Sequence, residues 1–163
     1  MALGAFQDER IELLDGALVA MSPVGLPRAS TVQRLTQLLI LTLHGRAAVR
    51  CQLPFAALEF SEPEPDLFAP PGDHDTAHPT QAQLVIEVAE TSLAKDRGQK
   101  LALYASCAVP EYWVVNLSER CIEAYTGAGA GAYAQQVGRF EPGQAIRLLA
   151  FPDVAVAVAD VLK

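Results

Sequence analysis

Residues 84–89 read Leu-Val-Ile-Glu-Val-Ala, a run that is apolar at every position except Glu87. Apolar residues on both faces are typical of a strand in the middle of a sheet that is covered on both sides. A carboxylate in such a strand must be paired, protonated or bound to a metal, because burying an isolated charge is very costly. Fully buried glutamates without a partner are rare, so we take Glu87 as a functional candidate.

The residues after this strand predict a crossover to a second buried strand. Thr91 and Ser92 provide capping side chains for a helix over residues 93–107, which ends before Pro110. An apolar strand at 111–117 follows. The order strand, helix, strand is typical of a βαβ-like unit.

The residues before the central strand predict a hairpin, a helix and an extended segment. Two apolar runs around an Asp-Gly pair predict a tight hairpin over residues 10–21. Apolar residues at three- and four-residue spacing predict an amphipathic helix over 29–44. Residues 49–58 contain Pro54, which favours an edge strand or two short strands split by a turn.

The last third of the chain predicts short strands joined by glycine-rich turns, so we expect a β-rich C-terminal part. Four segments have this character: 121–126, 133–138, 146–149 and 154–158. The stretch 127–132 alternates Gly and Ala but lacks the Gly-Lys-Ser/Thr ending of a phosphate-binding loop. We interpret it as a flexible hairpin connection.

Length and composition predict one globular domain over residues 1–163. The chain has 163 residues, of which 51% are hydrophobic and 19% charged, and this excludes intrinsic disorder. Its formal net charge of −7 disfavours broad, charge-driven binding of nucleic acid, so a polyanion partner would need a local basic patch or bound cations. The basic residues that could form such a patch are Arg28, Arg34, Arg46, Arg50, Arg97 and Lys100.

The cysteines and the hydropathy pattern predict a cytoplasmic protein of bacterial type. Cys51, Cys107 and Cys121 form no C-x-x-C pair, and we expect them to be small buried hydrophobic residues in a reducing compartment. The first ten residues lack the basic start and apolar run of a signal peptide. No apolar stretch approaches the ~20 residues that span a bilayer, so no membrane association is expected.

A second acid, Asp66, lies 21 residues before Glu87 in an extended, proline-rich segment. Two neighbouring acids raise each other's pKa unless a cation lies between them, and carboxylate sites for Mg²⁺ are built in this way. The alternative is that Asp66 forms only an Asx turn or a cap.

A third candidate element is one face of the helix over 93–107. Asp96, Lys100 and Tyr104 recur at four-residue steps and therefore lie on the same side of an α-helix. Lys100 could then place a fixed positive charge beside a metal and stabilise a phosphoryl group under attack, or orient the attacking water. The alternative is that Asp96 and Lys100 form an ordinary surface ion pair.

Two further sets of polar residues are weaker candidates. Glu12 alternates onto the polar face of the first hairpin, where solvation alone would explain it. His74 and His78 have an H-x3-H spacing, but their loop carries no helical pattern that would place both rings on one side. A zinc site there is therefore not expected.

Five segments, in family order, resemble the Uma-type family of restriction-endonuclease-like proteins, a branch of the PD-(D/E)xK nuclease superfamily. They are Ile-Glu-Leu-Leu-Asp-Gly-Ala-Leu-Val-Ala-Met-Ser-Pro (11–23), Ser-Glu-Pro-Glu-Pro-Asp (61–66), Leu-Val-Ile-Glu-Val-Ala (84–89), Asp-Arg-Gly-Gln-Lys-Leu-Ala-Leu-Tyr-Ala (96–105) and Val-Pro-Glu-Tyr-Trp-Val-Val (109–115). The resemblance implies an α/β (α+β) fold in which a mixed central sheet is flanked by helices.

The same resemblance implies a site for metal-dependent cleavage of phosphodiester bonds. Asp66 would be the acid of the Pro-Asp element and Glu87 that of the (D/E)xK strand, both binding Mg²⁺ or Mn²⁺. The superfamily usually has a lysine two residues after the second acid, where this chain has Ala89. The family's counterpart is a lysine on the following helix, which is Lys100 here, with Tyr104 nearby.

Three further positions bear on the resemblance: one agrees with the family pattern and two depart from it. Glu12 matches an additional acid that reaches the metal from the other side. Arg28 stands where a histidine is common ahead of the first long helix, and Asn116 replaces the usual aspartate after the Tyr-Trp strand. These two changes leave the acids and Lys100 in place.

The first hypothesis is therefore a Mg²⁺- or Mn²⁺-dependent endonuclease that acts on DNA, with Asp66, Glu87 and Lys100 as the catalytic set and Glu12, Asp96 and Tyr104 in support. The second is a catalytically inactive nuclease-fold module that uses its β-rich part and exposed aromatic residues for partner contacts. A third, weaker one is a hydrolase for another phosphodiester or small molecule. A homodimer is expected in either of the first two cases.

Overall fold

The computed structural model describes residues 10–21, 23–72 and 76–163. The expectation about a signal peptide rests on residues 1–9, and the pairing of two histidines on His74, and both lie outside the described residues. The first half contains β1 (Ile11–Leu14), β2 (Ala17–Ala20), α1 (Leu26–Leu43), β3 (Arg50–Cys51), β4 (Leu67–Ala69) and β5 (Leu84–Ala89). The second half contains α2 (Leu93–Lys95), a π-helical stretch (Asp96–Lys100), α3 (Leu101–Ser106), β6 (Glu111–Asn116), β7 (Cys121–Gly129), β8 (Ala132–Phe140), β9 (Ala145–Arg147), β10 (Ala155–Ala157) and α4 (Val158–Val161).

Six strands form the central sheet in the order β3-β4-β5-β6-β7-β8. β5 and β6 are parallel, with Glu87 opposite Val114, and the other neighbours are antiparallel. The parallel pair is joined by the helical residues 93–106, so the predicted crossover and the predicted mixed sheet are confirmed.

Both faces of the two central strands are covered, which explains their continuous apolar sequence. Every residue of β5 and β6 is buried. Leu35 and Leu39 of α1 belong to the core on one face, and Tyr104 of α3 belongs to the core on the other. This burial makes the charge of Glu87 exceptional within the sheet.

Three segments differ from the predictions. α1 begins at Leu26 rather than residue 29, because Pro27 is accommodated in the first turn, where no backbone N–H donor is needed. The predicted strand over 49–58 is reduced to the two residues of β3. The glycine-alanine stretch 127–132 is not a flexible connection, since β7 and β8 continue through it.

A short turn closes that hairpin. Ala130 and Gly131 both have positive φ angles, of 44° and 78°. Two successive residues of this kind match the right-handed twist of antiparallel strands, which allows the ladder to extend to the turn. Among the helices of the described residues, none is long and apolar enough to cross a membrane.

A partly buried ion pair joins the helical residues 93–106 to β7, with Glu123 buried and the Arg97 side chain 38% exposed. Arg97 donates from Nε to Oε2 of Glu123 at 2.9 Å, and the Tyr125 hydroxyl donates to the same oxygen at 2.9 Å. Burial opposes ionisation of Glu123, but these donors together lower its pKa below the ordinary value of 4.5. A lowered pKa stabilises the fold at pH values above 4.5, and this contribution is lost as the pH falls through the folded-state pKa.

We expect Glu123→Gln to lower the free energy of unfolding by about 1.5–3 kcal/mol at pH 7, the range for hydrogen bonds to charged groups. Because the folded-state pKa lies below 4.5, the difference from the wild type should shrink only at a lower pH, at which the carboxyl is protonated in both the folded and the unfolded state. Urea denaturation at both pH values measures this. Glu119→Gln is the control, because its side chain is 43% exposed and its ion pair with Arg139 contributes little. An equal loss at both pH values would contradict the assignment.

Candidate active site

Glu87 lies in the middle of β5 with its side chain buried, and its Oε1 atom is the acceptor for two donors. The ammonium of Lys100 donates at 2.9 Å and the hydroxyl of Tyr104 at 2.7 Å. Burial raises the pKa of Glu87 to about 8, and the charges of Asp96 and Asp66 act in the same direction, while Lys100 opposes them. Glu87 therefore lies where additional positive charge would be stabilising.

The π-helical stretch brings Lys100 to this carboxylate. Asp96 and Lys100 are its first and last residues, and both are buried. The hydroxyl of Tyr112 on β6 donates to the carbonyl of Asp96 at 2.9 Å and so attaches the stretch to the sheet. π-Helical insertions occur frequently at functional sites, where they redirect side chains. Because the side chains of Asp96 and Lys100 are both buried, the alternative of an ordinary surface pair between them is wrong.

Lys100 also contacts a third acid, Glu12 of β1. Its Nζ atom lies 3.0 Å from Glu12 Oε2, and Lys95 Nζ lies 2.9 Å from Glu12 Oε1. Burial of Lys100 disfavours its charged form, but Glu87 and Glu12 outweigh this and raise its pKa, so the ammonium stays protonated. Burial likewise opposes ionisation of Glu12, but Lys100 and Lys95 lower its pKa.

The interpretation of Glu12 as a solvated residue is therefore wrong. Its side chain is fully buried even though its neighbours alternate as in an exposed hairpin. The partner Lys95 was missed, because its position at the start of the helix carries no sequence signal for the site. Only the packing of the β1–β2 hairpin against the helical segment brings these residues together.

Asp96 is a further buried acid beside Lys100 and Lys95. The hydroxyl of Ser92 donates to its Oδ2 atom. Burial raises the pKa of Asp96, and Ser92, Lys100 and Lys95 oppose that shift. Asp96 is thus a buried acid whose charge depends on the two lysines.

Asp66, directly before β4, is held by a different cation. Arg28, in the first turn of α1, donates from Nη2 to Oδ1 at 2.9 Å and from Nε to Oδ2 at 3.2 Å. The backbone N–H of Val88 donates to Oδ2 at 2.9 Å, and Gln52 Nε2 donates to Oδ1 at 3.2 Å. The alternative of a local Asx turn or cap for Asp66 is wrong, because its partners lie on three other parts of the chain.

A small hollow lies beside Glu87 and reaches Arg28, the partner of Asp66. It has a volume of about 10 Å³, room for one water molecule or one ion. Its lining side chains are mostly charged: Glu12, Glu87, Asp96, Arg28, Lys95 and Lys100, with Met21 and Ser92. With Asp66 included, four acids face three basic residues, so the cluster carries a formal charge of −1.

The donor chemistry of Asp66 and Glu87 suits a hard divalent cation, which prefers carboxylate oxygens. However, Arg28 holds both oxygens of Asp66, and no three acidic, histidine or cysteine side chains of the described residues converge closely enough to bind a metal together. The two acids therefore fit a metal only if Arg28 leaves Asp66.

Three of the remaining basic candidates, Arg34, Arg46 and Arg97, have partners away from this site. Arg97 is paired with Glu123, and Arg46 is paired with Asp153. Arg34 donates to the carbonyl of Val161. The basic side chains in the hollow are instead Arg28, Lys95 and Lys100, and the first of these is engaged by Asp66.

Comparison with known proteins agrees with this architecture. A solved structure from Anabaena variabilis, described as a "putative nuclease belonging to DUF820", superposes on this chain with a TM-score of 0.70. The superposition covers 93% of this chain and 88% of the Anabaena chain. The identity is 11%, so the likeness is one of fold. None of the curated proteins compared matches the chain. The pattern of the Uma2 family, described as "Putative restriction endonuclease", matches residues 2–159. With the sheet, the crossover and the buried acids in place, this match means that the chain belongs to the Uma2 family.

Proposed function

We propose that this protein is an endonuclease that hydrolyses phosphodiester bonds of DNA at the cluster around Glu87 and Lys100. Family membership and fold support a nuclease. The observation that carries the proposal is the buried ammonium of Lys100, held between Glu87 and Glu12 beside a hollow of ionic size. A buried permanent cation of this kind suits a reaction in which negative charge develops on a phosphate.

The protein residues have distinct roles in this proposal. Lys100 stabilises the charge that grows on the phosphoryl oxygens while water attacks phosphorus and the bond to the leaving oxygen breaks. Tyr104 and Glu12 orient Lys100 and Glu87, and Asp96 supports the same group from the helical stretch. A divalent ion, Mg²⁺ or Mn²⁺, would be held by Asp66 and Glu87, and it would neutralise the phosphate and lower the pKa of bound water.

A nicking assay tests the activity. Supercoiled plasmid and single-stranded DNA are incubated with the protein in Mg²⁺, in Mn²⁺ and in EDTA. We expect cleavage with either metal and none in EDTA. Absence of cleavage under all conditions, together with no heat of metal binding in calorimetry, would contradict the proposal.

One observation favours a second candidate, an inactive nuclease-fold module. Both oxygens of Asp66 are already neutralised within the chain by Arg28. In an inactive relative such a pair would simply stabilise the fold. This candidate predicts a negative outcome in both experiments described above: no DNA cleavage in the nicking assay and no heat of metal binding in calorimetry. Homodimer formation stays a prediction in both cases.

A further inference from the structure

Three basic side chains without an acidic partner surround one cavity on the surface of this acidic protein. Of its twelve lysines and arginines, those that form no ion pair with an acid of the described residues are Arg34, Arg50, Arg120, Arg147 and Lys163. Arg34, Arg120 and Lys163 line a cavity of about 220 Å³. In a chain with a formal net charge of −7, they form the local basic patch that a polyanion needs.

The hydrogen bonds of the two arginines leave their charges uncompensated. Arg34 donates from Nε to the carbonyl of Val161 at 3.0 Å and from Nη2 to the hydroxyl of Thr31 at 2.9 Å. Arg120 donates from Nη2 to the carbonyl of Leu162 at 2.7 Å. All three acceptors are neutral groups, and a guanidinium has five N–H donors. Both side chains therefore keep donors and a full positive charge for an anionic partner.

The other groups around the cavity suit phosphate oxygens. Ser30 and Thr31 contribute hydroxyl side chains, and Pro27 lies in the first turn of α1, which has neither a side-chain cap nor an acidic residue there. Hydroxyl side chains and helix N-termini are, with arginine and lysine, the usual partners of backbone phosphates. A single water molecule needs roughly 10–15 Å³ of such space, so the cavity has room for a phosphate group.

The cavity lies at the same end of the central sheet as the carboxyl end of the strand that carries Glu87. Leu117, which lines the cavity, directly follows β6, and its N–H donates to the carbonyl of Ala89 at 3.0 Å. Ala89 follows Glu87 by two residues on β5, which corresponds to about 7 Å along the strand. One DNA strand advances about 3.4 Å per nucleotide along the helix axis, so both places lie within the span of a few nucleotides.

From this arrangement, and resting on the proposed function, we infer that Arg34, Arg120 and Lys163 form a binding site for a backbone phosphate of the DNA substrate, separate from the cluster around Glu87. Arginine suits this role, because its planar fork of N–H donors matches the oxygens of phosphate. A contact to phosphate carries no sequence information, but it fixes the position of a strand on the protein.

One acid close to the site provides a variant with the opposite effect. Asp160 lines a second cavity together with Arg34 and Lys163, but among the described residues it forms an ion pair with neither. Its negative charge opposes an anion at the proposed site. Asp160→Asn should therefore tighten DNA binding. Glu59→Gln is its control, since Glu59 is exposed and lies outside both cavities.

Fluorescence anisotropy of a short labelled DNA duplex, titrated with the intact chain in EDTA at several salt concentrations, tests the site without cleavage. For Arg120→Gln we expect an affinity lower by about fivefold or more, and a slope of log affinity against log salt that is smaller in magnitude by about one, as for the loss of one phosphate contact. Asp160→Asn should bind more tightly than Glu59→Gln.

Arg147→Gln is the matched control for the loss of charge. Arg147 is likewise an arginine without an acidic partner among the described residues, and it too donates to a backbone carbonyl, that of Pro152. It lines neither of the two cavities, so its substitution should change the affinity by less than about twofold. Equal affinities and equal salt slopes in Arg120→Gln and Arg147→Gln would overturn the inference.

Lys163→Gln covers the case in which Arg120→Gln does not fold. The Lys163 side chain makes no hydrogen bond or ion pair within the described part of the chain, so the substitution removes charge alone. It should lower both the affinity and the salt slope relative to Arg147→Gln. A result that matches that control would count against the site.

Titration with inorganic phosphate distinguishes a DNA backbone from a free phosphate compound as the ligand. Phosphate binding that is lost in Arg120→Gln, with duplex affinity equal to that of Arg147→Gln, would assign the cavity to a small compound and overturn the inference. The nicking assay gives a separate answer. Site-dependent DNA binding by a chain that never cleaves DNA would support the phosphate site and contradict the proposed function, and cleavage by a chain whose variants bind as their controls do would give the reverse conclusion.

Discussion

Glu87→Gln is expected to lower the rate of DNA cleavage by about 10²–10³-fold or more, the loss seen when one charge-stabilising group is removed from an active site. The amide keeps the size of the side chain and can still accept the hydrogen bond from Tyr104. It replaces the carboxyl that faces Lys100, and whose anionic form a divalent ion would need, by a group that cannot ionise. The measurement is the initial rate of plasmid nicking under single-turnover conditions.

The fold of the Glu87→Gln variant should survive. Burial disfavours the charged form of Glu87, so a neutral amide there removes an unfavourable charge from the middle of the sheet. Urea denaturation checks that the lost activity is not lost structure. Glu119→Gln, at an exposed position, should cleave at the wild-type rate. Undiminished cleavage in Glu87→Gln or Glu87→Ala would place the activity elsewhere, either on another part of the chain or in a contaminating nuclease.

Lys100→Met is expected to destabilise the protein by about 3–5 kcal/mol, the cost of removing one partner from a buried ion pair. The Lys100 ammonium contacts the carboxylates of both Glu87 and Glu12, and all three side chains are almost completely buried. Without it, two carboxylates would lie close together in the interior, and Lys95 would remain paired with Glu12. The free energy of unfolding in urea at pH 7 measures the loss.

Two variants separate the structural contribution of Lys100 from its catalytic contribution. Lys95→Met should cost about 1 kcal/mol or less, because that side chain is 24% exposed and its pair is partly screened. The double variant Glu12→Gln/Lys100→Met should recover part of the stability, since one of the unpaired charges is removed with the cation. Cleavage by a folded double variant at the wild-type rate would show that Lys100 has only a structural role.

Much of the local structure could be predicted from the sequence, because strand and helix periodicity depend on nearby residues. The strand at 84–89 has the predicted bounds, and the helical segment at 93–106 differs by one residue. The π-helical stretch inside that segment was not predictable, since its residues are compatible with an ordinary α-helix. It forms where Asp96 and Lys100 must both turn inward to the acids.

The site was only partly predictable. That Glu87 must be paired, protonated or bound to a metal follows from the cost of burying its charge, which depends on the strand sequence alone. That Glu12 is buried did not follow, because its hairpin is exposed on one side, and the side that carries Glu12 contacts Lys95 and Lys100, which are distant in sequence. Arg28 stood out as a departure from the family pattern, but its partner could not be inferred from that.

The sequence by itself therefore determined that an ionisable residue lies within the central strand and that it requires a cation or a proton. Tertiary structure decided which cation meets which acid. Arg28 reaches Asp66 across 38 residues of chain, and Lys95 reaches Glu12 across 83. Such pairs depend on the order of the strands and the placement of α1 and the helical segment on them, and the periodicity of a single segment carries no information about either.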